Sequence, residues 1–161
     1  MRVLILCTGN SARSLIAEAL LNALGEGRVE AVSAGSAPRG EPHPIALETL
    51  KRHGHDASGL RSKSWDEFAG PGAPALDAVI TVCGSAAGEA CPVWPGAPAR
   101  AHWGEPDPAA IDNAEQARIA FEDTYQALKT RIEAFLEALD GTGAGALEAA
   151  LKAGADARPQ G

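Results

Sequence analysis

Cysteine is scarce in this chain: three residues in 161, an odd number. That excludes the stapled framework of a small secreted domain and leaves the thiols for chemistry. Positive charge is short as well. Fourteen Lys and Arg face twenty-one Asp and Glu, a formal net charge of −7, which argues against general affinity for nucleic acid or an acidic membrane surface. An anionic substrate must therefore be captured by local dipoles and single cations. No apolar run approaches the roughly 20 residues of a membrane span. No cationic and then apolar leader is seen either, since Arg2 runs straight into Val3-Leu4-Ile5-Leu6. No internal repeat is evident. With 45% hydrophobic and 22% charged residues, the composition is that of one ordinary globular domain, expected in the cytoplasm.

What is present is concentrated in Cys7-Thr8-Gly9-Asn10-Ser11-Ala12-Arg13-Ser14. An apolar run precedes it and a helical pattern follows (Leu15, Ile16, Ala19, Leu20, Ala23, Leu24). Strand, tight loop and helix is the layout that aims backbone N–H groups and a helix N-terminus at an anion. Gly9 and Asn10 tolerate the positive φ such a cradle needs. Arg13 offers a planar fork that matches a tetrahedral oxyanion. The helix end and Arg13 are both expected to depress the pKa of Cys7, and Ser14 to donate a hydrogen bond to its sulfur. The chemistry expected is a thiolate attacking a tetrahedral oxyanion.

Further along, Val29 to Gly35 reads as a short strand, Pro44 to Arg52 as a helix, and Ser64 to Phe68 as a short helix with Ser64 and Glu67 forming a capping box. His53 and His55 lack companions for a metal site. Leu76 to Val82 is the most β-branched run and ends at Cys83, as the first strand ends at Cys7. Ligands in open α/β sheets gather at such carboxyl ends, so both cysteines can face one crevice. Residues 84–104 read as a functional loop carrying Cys91, with a short strand near Ala99 to His102. Asp107 is the candidate general acid, and Asp also serves as a helix cap. A long amphipathic helix is expected from Ile111 to Leu139, with Ile119, Phe121, Tyr125, Leu128, Ile132, Phe135, Leu136 and Leu139 as its apolar positions. Residues 141–161 read as a flexible Ala/Gly-rich tail beyond a domain spanning 1–140; a small helix is expected at 146–153 and disorder from Gly154. The element order implies a three-layer α/β sandwich around a short parallel sheet.

The run from Val3 to Ser14 resembles the phosphate-binding loop of the low-molecular-weight tyrosine phosphatase fold, and within it most resembles the thioredoxin-coupled arsenate reductases. That resemblance implies a four-stranded parallel sheet. It also implies a relay: Cys7 forms an arseno-adduct, Cys83 attacks the Cys7 sulfur and expels arsenite, and Cys91 resolves the disulfide for re-reduction by thioredoxin or a similar dithiol protein. Phosphate and sulfate would compete with arsenate. Residues 102–109 resemble the reductases' acid loop. Ala109 stands where the phosphatases carry an aromatic that stacks on phosphotyrosine, Leu15 where they commonly have proline, and Ala12 where many relatives have a further cysteine. The resemblance also implies a potassium site at Asn10, Glu18, Ser33 and Asp66, and no required cofactor. Two alternatives stay open. One is a low-molecular-weight phosphatase working through cysteinyl-phosphate, with Cys83 and Cys91 as bystanders. The other is an oxyanion sensor without turnover. No exposed apolar heptad or long edge strand advertises a partner surface, so a monomer is expected.

Overall fold

The computed structural model describes residues 1–70, 72–83, 94, 96, 98–139 and 146–158. Four parallel strands form one sheet: β1 (Arg2–Leu6), β2 (Glu30–Ala34), β3 (Ala78–Thr81) and β4 (Ala99–His102). Their order is β2-β1-β3-β4, with Leu6 paired to Ala34 on one side and Thr81 on the other. β1 and β3 carry almost nothing but buried apolar side chains, as a sheet covered on both faces requires.

Among the described residues four α-helices cover the sheet: α1 (Arg13–Gly25), α2 (Pro44–Arg52), α3 (Ala114–Leu139) and α4 (Ala146–Asp156). α1 buries Leu15, Ile16, Leu20 and Leu21, and ends where Glu26 takes a left-handed φ of 48°. α2 keeps the expected bounds. Proline at its first position is pre-set for a helix, and His43 Nδ1 accepts from the Ile45 N–H. Residues 65–68 form a single 3₁₀ turn. Ser64 caps it as expected, but the Glu67 carboxylate pairs with Arg61 at 2.6 Å.

Two expectations for the second half are corrected. The long helix begins at Ala114, three residues late, because Asn113 Oδ1 accepts from the Gln116 N–H and makes it the cap. Ile119 lies off the buried stripe and is 61% exposed; the core face is Phe121, Tyr125, Leu128, Ile132, Phe135 and Leu136. Residues 146–158 are also not a loose tail. α4 runs through Gly154 to Asp156, and its Ala150 and Leu151 are buried. Among the described residues no helix is long and apolar enough to cross a membrane.

Candidate active site

Between β1 and β3 the strand order reverses, since the chain leaves β1 towards β2 and leaves β3 towards β4. Open α/β sheets hold their ligands at the carboxyl side of such a reversal. β1 delivers Cys7 there directly, and β3 delivers Cys83 two residues beyond its end. A pocket of about 250 Å³ opens between them. Its walls are Cys7 to Arg13, Ala37, Arg39, Cys83, Asp107 and Ala109.

The loop is shaped from outside. The carbonyls of Thr8, Gly9 and Ser11 accept from the N–H groups of Ala37, Arg39 and His43 at 2.8–3.0 Å. A peptide unit is planar and trans, so carbonyls pulled outward turn the N–H groups of Gly9, Asn10 and Ala12 towards the pocket. Asn10 takes the left-handed turn, with φ 44°, and is wholly buried. Its Nδ2 donates to Ser14 Oγ at 2.8 Å and Ser33 Oγ at 3.0 Å, and its Oδ1 accepts from the Lys63 N–H at 2.9 Å. Gly35 lets β2 approach the loop: a Cβ there would lie 2.3 Å from the Thr8 carbonyl oxygen and 2.7 Å from that of Cys7. The chain then enters α1 at Arg13, which sets the helix N-terminus under the pocket.

Arg13 is held by its far edge. Nη1 donates to the Glu105 carbonyl at 2.8 Å and Nη2 stands 3.7 Å from Asp107 Oδ1. Nε is buried with no hydrogen-bond partner among the described residues, a donor left for an oxyanion. Asp107 Oδ1 also accepts from the Ala109 N–H, capping the 3₁₀ turn Pro108–Ala110 and not the long helix.

The Cys83 sulfur lies in the same pocket, 3.4 Å from the Thr8 nitrogen, whose N–H it accepts, and 3.6 Å from Thr8 Oγ1. The depressed pKa expected for Cys7 is reversed by its own contact with this sulfur. A hydrogen bond with Cys83 and then burial push the Cys7 thiol up, against the pull of Arg13 and of the Gly9 N–H. Two neighbouring sulfurs resist carrying two charges. Ser14 Oγ accepts from Asn10 Nδ2, which the left-handed turn brings inward, and that bond leaves the hydroxyl's own proton unused. Cys91 lies outside the described residues.

Of the four residues implied for potassium, three meet. Ser33 Oγ donates to Glu18 Oε1 at 2.9 Å and accepts from Asn10. Asp66 sits in the 65–68 turn, and among the described residues no hydrogen bond joins it to the others. Lys63 Nζ already stands 3.5 Å from Glu18 Oε1, although burial lowers its pKa. The donors are thus engaged with one another and with an ammonium, which does not fit a potassium ion at this position.

Sequence reasoning missed Arg39, Lys63, Glu105 and Arg131. Glu105 fell inside the acid loop of residues 102–109 without a role of its own, and Arg131 left a trace as a charge three residues past Leu128 on the apolar face of α3.

The family model described as low molecular weight phosphotyrosine protein phosphatase matches residues 2–144. The chain belongs to that family. Within it, the chain is 34% identical to the arsenate reductase of Halalkalibacterium halodurans over 136 residues, 84% of this chain and 94% of that one. Among solved structures, an arsenate reductase in the phosphate-binding state aligns with a TM-score of 0.64 at 25% identity, covering 84% of this chain and 96% of that one. The thioredoxin-dependent arsenate reductase of Corynebacterium glutamicum aligns at 0.56 and 29% identity, over 82% of this chain and 61% of that one.

Proposed function

We propose that this family member is an arsenate reductase that uses Cys7, Cys83 and Cys91 in sequence, with thioredoxin or a similar dithiol protein as reductant. The observation that carries the reading is the Cys83 sulfur inside the Cys7 pocket, in contact with Thr8. Phosphate-ester hydrolysis needs one sulfur; a two-electron reduction needs a second within reach of the first. The similarity to arsenate reductases supports the same choice.

The Cys7 thiol gives its proton to the arsenate dianion as its sulfur attacks arsenic; a sulfur–arsenic bond forms, and the protonated arsenate oxygen takes a second proton from Asp107 and leaves as water. The loop N–H groups and Arg13 hold the remaining oxygens. Cys83 thiolate then attacks the Cys7 sulfur. The sulfur–sulfur bond forms, the sulfur–arsenic bond breaks with its electron pair going to arsenic, and arsenic(V) leaves as arsenite. Cys91 exchanges into that disulfide and releases Cys7; the Cys83–Cys91 disulfide is reduced by the external dithiol. No step runs through potassium, and turnover is proposed to be equal in sodium and potassium salts. A cytoplasmic setting belongs to the same proposal, since the cycle needs a reducing partner.

The test is arsenate-dependent NADPH consumption with thioredoxin and thioredoxin reductase. Turnover lost in both Cys83→Ser and Cys91→Ser supports the relay. No turnover, with hydrolysis of an aryl phosphate that survives both substitutions, overturns it in favour of a phosphatase.

A further inference from the structure

α4 lies beyond residue 144, where the family match ends, yet it reaches the active-site wall. Arg131, on α3 and only 2% exposed, joins the two. Its Nε donates to Glu105 Oε1 at 2.8 Å and its Nη2 to the Gly104 carbonyl at 3.2 Å. Its Nη1 donates to the carbonyls of Gly154 at 3.1 Å and Ala155 at 2.5 Å. Those carbonyls belong to the last turn of α4, which has no intrahelical donors for them and carries the negative end of the helix dipole. One guanidinium thus ties the end of α4 to Gly104 and Glu105.

Trp103 makes a second tie. Its Nε1 donates to the Leu151 carbonyl at 3.0 Å, and its ring packs edge-on to Phe135 with centroids 5.6 Å apart. Gly154 lies flat on that ring, where a Cβ would fall 2.3 Å from Trp103 Cζ2. Residues 103–105 are therefore gripped from one side by α4 and Arg131. On the other side the Glu105 carbonyl holds Arg13 Nη1, and Asp107 follows two residues later.

We infer that Arg131 and α4 are positioning elements for oxyanion capture, acting through the Glu105 carbonyl on the Arg13 fork. A fork fixed at one edge presents its other donors in one orientation, so its binding free energy is not spent on ordering a long side chain. Loss of the tie should weaken oxyanion binding in a protein that remains folded. The inference rests on the reading of the pocket as an oxyanion cradle and is independent of the relay.

The experiment is protection of Cys7 from iodoacetamide by inorganic phosphate, in the reduced full-length chain at an alkaline pH where unliganded Cys7 is alkylated, read by mass spectrometry well below each variant's melting temperature. Arg131→Gln should raise the phosphate concentration for half-protection about tenfold, the loss of one well-oriented charged contact. Gly154→Ala leaves every charge in place but drives α4 off Trp103, and should raise it roughly threefold, the effect of a shifted but unbroken contact. Should Arg131→Gln not fold, Gly154→Ala decides alone. Lowered melting temperature with unchanged half-protection overturns the inference, because a purely structural tie moves only the first. A wild-type thiol that phosphate does not protect overturns the cradle itself and the inference with it.

Discussion

The two walls of the pocket are built in opposite ways. The loop wall, residues 7–14, is set by backbone: outward carbonyls, one left-handed asparagine and the close approach of Gly35. The acid wall, residues 103–109, is set by side chains, chiefly Arg131, 26 positions beyond the Glu105 it holds, and the wall's own Trp103 indole, which reaches the Leu151 carbonyl 48 positions on. The first is tied to its neighbours along its backbone. The second depends on a few long side chains and the helix they grip, so it is the wall that substitutions can shift without unfolding the domain.

The largest contrast is expected between Asn10→Ala and Asp107→Asn. Asn10→Ala removes three buried hydrogen bonds and leaves a left-handed φ without the side chain that sustains it; it should cost about 3 kcal/mol of stability, read by denaturant unfolding, and abolish oxyanion binding. Asp107→Asn keeps an acceptor for the Ala109 N–H but has no proton to give; turnover should fall about 10²- to 10³-fold with the melting temperature unchanged. Equal loss of stability in both would erase the distinction between the walls.

A smaller effect concerns the sulfur pair. Cys83→Ala removes the largest upward influence on Cys7, leaving Arg13 and the Gly9 N–H to act against burial alone. The pH midpoint of thiolate absorbance for Cys7 should move down relative to the wild type. A midpoint that stays or rises would mean that burial, and not the second sulfur, holds the proton.

The smallest effect lies away from both walls. Burial pulls the Glu122 carboxyl up, but hydrogen bonds from Gln126, Arg52 and His53 outweigh it and hold its pKa at about 2, below the ordinary 4.5. A carboxyl depressed in the folded state contributes stability above its unfolded pKa. That contribution is lost as pH falls from about 4.5 towards 2. The side chain is 32% exposed, so screening keeps the contribution to about 1 kcal/mol or less. Glu122→Gln should flatten acid unfolding over that range while leaving turnover at neutral pH unchanged.

The same contrast explains what could be read from the chain alone. Cys7, Gly9, Asn10 and Arg13 form one short run with a strand before it and a helix after, so the loop wall was legible, as was the meeting of Cys7 and Cys83 at adjacent strand ends. The meeting's electrostatic consequence was not: a helix end and an arginine suggest a depressed thiol, and only three-dimensional contact reveals the second sulfur that reverses the direction. Lys63 beside Glu18 was hidden for the same reason, since 45 residues separate them. α4 was underestimated because an Ala/Gly-rich composition says nothing of the flat Trp103 face on which Gly154 packs.

The central proposal is that the Cys7 pocket spends two thiols on each oxyanion. A single turnover of the fully reduced protein with excess arsenate, without any external dithiol, tests it most directly by counting arsenite and titratable thiols. One arsenite released per chain, with two thiols lost and a disulfide that includes Cys83, is the expected result. All three thiols intact, with no arsenite formed and steady hydrolysis of an aryl phosphate, would contradict it.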